Sequence, residues 1–367
     1  MKTRKLLCAA VALMLVMGAL TGCGGTQAPA GSAASAAPSA AAPASSDSKE
    51  APTENIRIGV IMPSATHGFT GESIQHAEAE IKKLAEERGF EYKFLTAEEA
   101  SGQVTHVETL LTWEPQAIVM WPIEGDALRS AAQSILDANI KLVIYDRLIE
   151  GFTPTAEIMG DNETIGKMTG EYFNKFFADD LAAGKKISYL EFMGDSSTVP
   201  KQRSDGFKST INEAFVVANE PYSTGWQRQT AMEQMENWLN TSDAAKIEEL
   251  RAIFTHDDEV VLGVLDALKN YSGPAKLSVK LLSGVGGRKE NIATFADPGV
   301  EGLKQVTYMF SPSMIRNAVQ MGVNAAYGEQ YNGKDIGGLV LIDTVEIDES
   351  NLAEYEASDL FKERYSI

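Results

Sequence analysis

Leu142-Val143-Ile144-Tyr145-Asp146-Arg147 is the stretch on which the fold turns. Four apolar residues read as a short strand, and the strand runs directly into a carboxylate and a guanidinium. In open α/β sheets, ligands sit beyond the carboxyl ends of strands, so a polar pair at such an end marks a place to search. Asp beside Arg offers acceptors and a planar fork of donors together, which suits groups that donate and accept at once. The same pair also fits a plain ion pair in a loop.

Working outward, the pattern repeats on both sides. Upstream, apolar strands at 56–62, 92–95 and 117–121 alternate with helices. Ile74, Ala77, Ile81, Leu84 and Ala85 mark one inward helix face, Val104, Val107, Leu110 and Leu111 a second, and Leu128, Ala131, Ala132, Ile135 and Leu136 a third. Downstream, strands are predicted at 187–192, 252–255 and from 277 or 279 to 282. Helices are predicted at 164–177, 203–215, 230–239, 260–268 and 313–327. Strands alternating with helices imply an α/β fold, with parallel sheets flanked by helices. Two such series imply two lobes, with a cleft between them as the natural site.

Lys and Arg number 32 against 51 Asp and Glu, a net charge of −19. That balance argues against nucleic acid as a partner. Neither a Gly-x-Ser-x-Gly elbow nor a His-Glu-x-x-His pair occurs, and the 4 histidines lack ligand spacing. The chain therefore reads as no enzyme, with no cofactor and no metal. Residues 160–169 have the wrong spacing for a phosphate loop. Trp226, in Gly225-Trp226-Gln227-Arg228, is an indole able to stack on an apolar C–H face or to fill a core. At His256-Asp257-Asp258-Glu259, one carboxylate faces a ligand and others cap the helix that follows.

The ordered set Asp146-Arg147, Gly160-Asp161-Asn162, Arg203-Ser204-Asp205-Gly206-Phe207, Trp226, Asp257-Asp258-Glu259 and the late stretch from Asp343 to Asn351 resembles the periplasmic sugar-binding proteins of the ribose, galactose and xylose type. These are substrate-binding subunits of ABC importers. The likeness spans about residues 56–355, and the runs 143–149 and 225–237 are similar to the xylose-binding branch. It implies a two-lobe periplasmic binding protein type I fold with a three-crossover hinge that closes on one monosaccharide. The N-terminal lobe would take 56–159 and 311–338, and the C-terminal lobe 160–310 and 339–367. Crossings would fall near Gly160, Phe310 and Leu341.

Carried over by position, Asp146 and Arg147 would bind hydroxyls, with Asp161 at the hinge. His67 and Phe69 occupy the first loop, and Trp226 would stack. Asp257 stands where the family more often has Asn, and Lys201 or Arg203 replaces an Arg or Asn. Gly286 stands where the family usually has Asp, and Phe310 where it has Gln or Lys. Loss of one acid, with Arg147, Lys201 or Arg203, and Arg288 retained, suits a larger or acidic sugar.

The first residues carry Lys2, Arg4 and Lys5, then an apolar stretch too short to span the ~30 Å hydrocarbon core, then Leu20-Thr21-Gly22-Cys23. This is similar to a bacterial lipobox. Residues 1–22 are read as a lipoprotein signal peptide, Cys23 as the lipidated residue, and 23–55 as a disordered tether reaching roughly 30 Å. The chain has 2 Cys, and loss of Cys8 with the signal leaves the body without a free thiol. The expected protein is a monomeric lipoprotein of the cell envelope, facing the periplasm or exterior and anchored through lipid only. It would capture a pentose or hexose, xylose-like by preference, and deliver it to ABC permease and ATPase subunits. A sugar sensor feeding a membrane kinase or chemoreceptor is the alternative.

Overall fold

The computed structural model describes residues 55–364. The signal peptide, Cys23 and the tether up to residue 54 lie outside the described residues.

The first lobe is built from near-continuous apolar runs, as a sheet covered on both faces requires. Its strands are β1 (Arg57–Pro63), β2 (Glu91–Ala97), β3 (Ala117–Met120), β4 (Lys141–Tyr145) and β5 (Ala156–Gly160). They are joined by α1 (Gly68–Arg88), α2 (Ala100–Trp113) and α3 (Gly125–Asp137). The second lobe opens with α4 (Asn162–Phe176) and α5 (Ala178–Ala182). It continues through β6 (Ile187–Met193), α6 (Thr198–Thr210), β7 (Phe215–Val217), β8 (Tyr222–Ser223), α7 (Arg228–Thr241), α8 (Ala244–Glu249) and β9 (Leu250–Thr255). It closes with α9 (Asp258–Asn270), β10 (Leu281–Ser283), α10 (Lys289–Ile292) and β11 (Lys304–Tyr308). The chain then returns to the first lobe for α11 (Ile315–Tyr327) and β12 (Leu339–Ile342). It ends in the second with β13 (Glu346–Ile347), α12 (Leu352–Ala357) and α13 (Asp359–Arg364).

The sheets run β12-β5-β4-β3-β1-β2 and β13-β11-β10-β9-β6-β7, with β8 beside β6. Their pairings are parallel except β11 with β13. The parallel two-lobe α/β architecture matches the expectation. The chain crosses between sheets after Gly160, again between β11 and α11, and finally between β12 and β13.

Three details differ from the sequence reading. The strand Leu339–Ile342 belongs to the first sheet, where Leu339 pairs with Glu157 and Ile342 with Gly160, so the last crossing falls at 343–345 and 339–342 leaves the C-terminal lobe. Helix α6 begins at Thr198 rather than at Arg203, because Pro200 is tolerated in a first turn, and it stops at Thr210 where Ile211 turns extended. Strands β5, β7, β8, β11, β12 and β13 and the short helices α5, α8, α10, α12 and α13 were not anticipated. Several are short or carry buried polar residues such as Gln305 and Thr307, which blur the apolar signal.

Candidate functional site

Loops at the carboxyl ends of the strands converge on one cavity between the lobes. It is lined by His67, Phe69, Trp121, Asp146, Arg147, Val199, Arg203, Trp226, Asp257, Val285, Gly286 and Phe310. The first five come from the first lobe, and Phe310 from a crossing. About 380 Å³ lies between these side chains, part of it open to solvent, so the cavity is a slot.

Rings form much of its wall. Phe69 meets Trp121 edge-on at 5.8 Å and Phe310 at 5.4 Å. His67 and Trp226 approach across the lobes, with ring centroids 6.5 Å apart. Arg203 is 2 % exposed, and its guanidinium lies 4.7 Å from the Phe310 centroid and 5.8 Å from that of Trp226. Its Nε donates to Asn162 Oδ1 at 2.9 Å, and Nη1 donates to the His256 carbonyl.

Asp146 and Trp226 share a backbone signature. Both sit in the left-handed region, at φ 66° and 65°. Side chains other than Gly adopt it rarely, at a cost of about 1–3 kcal/mol, and it concentrates where geometry serves a site. Asp146 Oδ1, Arg147 Nε, Trp121 Nε1 and Trp226 Nε1 are buried without a fully formed hydrogen bond. The Trp121 indole interacts with the Asp146 carboxyl and the Trp226 indole with Asp195, which leaves Arg147 Nε as the donor that a guest can best satisfy.

Titration follows the burial. Burial pushes the Asp146 carboxyl up to about 6, against the pull of Arg147 and Arg203. Burial, then repulsion from Glu259 and Asp258, pushes Asp257 up to about 7. Burial and the Arg147 cation hold His67 down at about 4, so it is a neutral ring at pH 7. Burial also lowers Arg203 to about 10, leaving it cationic.

Contacts across the cleft hold the lobes shut. Arg147 Nη2 lies 2.9 Å from Asp195 Oδ2 on the other lobe, and its Nη1 is steadied within its own lobe by donating to the Ile123 carbonyl at 2.8 Å. Gln227 Nε2 donates to the Thr66 carbonyl at 2.9 Å, and Leu148 N to Thr198 Oγ1 at 3.3 Å.

The structure brings together His67, Phe69, Asp146, Arg147, Arg203, Trp226, Asp257, Gly286 and Phe310. It leaves out two anticipated residues. Asp161 caps α4 by accepting from Thr164 N at 3.0 Å. Lys201 is exposed and paired with Asp205 along α6. Gly286 has φ 149°, and a Cβ there would lie 2.9 Å from Asp258 Oδ2, so a neighbouring carboxylate already fills the space an Asp side chain would need. Arg288 is engaged by Glu259 and Glu72 and does not line the cavity. With Lys201 and Arg288 elsewhere, the reading of an acidic guest loses two of its cations. Val199 and Val285 were missed, and Trp121, which the sequence leaves open between cleft wall and core, lines the cavity. Trp121 closes an apolar strand and had no feature separating wall from core.

A profile described as "Periplasmic binding protein domain" matches residues 58–330. The ribose import binding protein of Bacillus subtilis (strain 168) is 28% identical over 218 residues, 59% of this chain and 66% of that protein. That of Escherichia coli (strain K12) is 24% identical over 192 residues, 51% of this chain and 60% of that protein. The chain thus spans somewhat under two thirds of these curated relatives. Among solved structures, an ABC transporter solute binding protein from Bacillus halodurans C-125 with bound myo-inositol superposes with a TM-score of 0.68 at 22% identity, covering 83% of this chain and 98% of that one.

Proposed function

Since the chain belongs to the periplasmic binding protein domain family, we propose that it is a sugar-binding protein of the ABC transporter type, which captures one neutral sugar or polyol in the interlobe slot. The observation that carries this is one slot in which Asp146, Arg147, Arg203 and Asp257 stand among Phe69, Trp121, Trp226 and Phe310. Hydroxyls donate and accept, so a ring bearing several can bond the Asp146 and Asp257 carboxyls and the Arg147 guanidinium together. Its C–H faces meet Phe69, Trp121, Trp226 and Phe310, where aromatic surface is worth burying. The names of the relatives, ribose import and inositol-bound proteins, support the same guest chemistry.

Capture follows from the hinge. Three crossings let the lobes part. A guest touching Asp146 and Arg147 on one lobe and Arg203, Trp226 and Asp257 on the other binds the closed form better, and so shifts the population towards it. The closed surface would be read by permease and ATPase subunits, with Cys23 holding the monomer to the membrane by lipid. A xylose-like guest remains the sharpest form of the proposal, and it rests on the runs 143–149 and 225–237.

Calorimetric titration with ribose, xylose, galactose, myo-inositol and glucuronate tests it. The expected result is saturable one-to-one binding of at least one neutral member and weaker binding of glucuronate. Failure of every neutral member to bind, or preference for glucuronate, refutes it.

A further inference from the structure

We propose that Arg288 is a positioning residue that sets the strength of lobe closure without selecting the guest; this rests on the capture reading above. The side chain leaves the loop after β10 and reaches the other lobe. Its Nη1 lies 3.0 Å from Glu259 Oε1 on its own lobe and 3.5 Å from Glu72 Oε1 on α1 of the first lobe. Its backbone N–H donates to Asp258 Oδ2 at 2.8 Å, which fixes where the side chain starts.

The same Glu259 oxygen accepts the Gly68 N–H at 2.9 Å. Gly68 opens α1, whose first turn holds no acid. Helix N-termini carry free N–H groups and partial positive charge. A carboxylate of the second lobe therefore serves the α1 terminus of the first, and Arg288 holds that carboxylate in place. The fit leaves no slack: a Cβ on Gly68 would lie 2.1 Å from Glu259 Oε1 and 2.4 Å from Arg288 Nη1.

Gly68, Glu72, Glu259 and Arg288 do not line the cavity. The Arg147–Asp195 contact differs, because Arg147 is itself a wall residue. A bond made on closure but not to the guest contributes equally whatever the guest. Losing it lowers the closed fraction and raises every dissociation constant by one common factor. Couplings of this kind are worth about 5–150-fold, and partly buried charges place this one near tenfold.

The test uses the full body carrying Arg288→Met, with Gly68→Ala as a second variant that adds a steric wedge and leaves every charge in place. Two readouts are taken: the ligand-free interlobe distance, from a fluorophore pair with one dye on each lobe, and the dissociation constants of two sugars that bind the parent protein. The expected result is a longer distance in both variants and a rise of about tenfold in both constants, with their ratio preserved within twofold. A changed ratio would make Arg288 a selecting residue and overturn the proposal. So would an unchanged distance with unchanged constants. If Arg288→Met fails to fold, Gly68→Ala alone decides. If no sugar binds the parent protein, the capture reading fails, while the ligand-free distance still decides whether the latch holds the lobes.

Discussion

Replacing Asp257 by Asn should stabilise the protein at alkaline pH and do little at acidic pH. The Asp257 carboxyl is buried beside Glu259 and Asp258, and its pKa rises from 3.8 to about 7. A carboxyl raised on folding keeps its proton in the native state where the unfolded chain has lost it. Its favourable contribution is therefore complete below pH ~4 and disappears as pH climbs through about 7. From pH 5 to pH 7 the native protein's excess over the unfolded chain falls from nearly one proton to about half, a loss of about 2 kcal/mol at roughly 1.4 kcal/mol per proton and pH unit. Asn carries no such proton. Its Oδ1 can still accept the Glu259 N–H, as Asp257 Oδ1 does at 2.7 Å, so the cap of α9 survives. The stability difference between variant and parent should widen by about 3 kcal/mol from pH 5 to pH 8. Read calorimetrically, that is roughly 4 °C in melting temperature for a body of this size. A difference that stays flat across this range, or that shrinks, would refute the assignment of a buried, largely uncompensated acid at 257.

Asp146→Asn removes a charged acceptor from the wall; it should weaken sugar binding by about 1.5–3 kcal/mol, tenfold or more by calorimetry, with the fold intact by circular dichroism. Trp226→Ala removes a ring face from the wall and should cost at least tenfold in affinity in the same titration. Lys201→Ala should leave affinity unchanged and stability within about 0.5 kcal/mol, since its partner Asp205 is also exposed; a tenfold loss of binding would put Lys201 back into the site.

The alternation of elements was legible because periodicity is local: Ile74, Ala77 and Ile81 state a helix face without help from the rest of the chain. What was not legible is pairing. Leu339 to Ile342 form an apolar run that either sheet could accept, and only hydrogen bonding to β5 assigns it to the first lobe. Among site residues, Asp146 and Arg147, beside a strand end, were readable from position alone, whereas position left Asp257, Asp258 and Glu259 unsorted and the resemblance singled out Asp257. Lys201 and Arg203 were not separable until α6 was seen to start at Thr198. Four residues apart on that helix, Val199 and Arg203 share a face, while Lys201 points about 200° away from Val199. Asp161 illustrates another blind spot. A helix cap and a ligand-binding acid use the same residue at the same kind of boundary, and only the Thr164 contact separates them.

The charges around the slot are the ground on which we propose an uncharged guest. Arg147 is answered by Asp195, and Arg203 is held by Asn162 and the His256 carbonyl between two rings. Arg147 thus has its own carboxylate partner, while Arg203 draws its compensation from the nearby Asp146, Asp257 and Asp258. A ligand carboxylate would enter beside Asp146 and Asp257, whose own charges burial already disfavours. Near pH 7 an acid with a pKa of about 7 is close to half protonated, so Asp257 can donate a hydrogen bond as well as accept one. Asp146, with a pKa of about 6, shares that capacity to a lesser degree. A hydroxyl has the same double capacity. The burial that makes these two carboxyls costly to ionise thereby gives them the ambivalence that a polyhydroxylated ring requires of its partners.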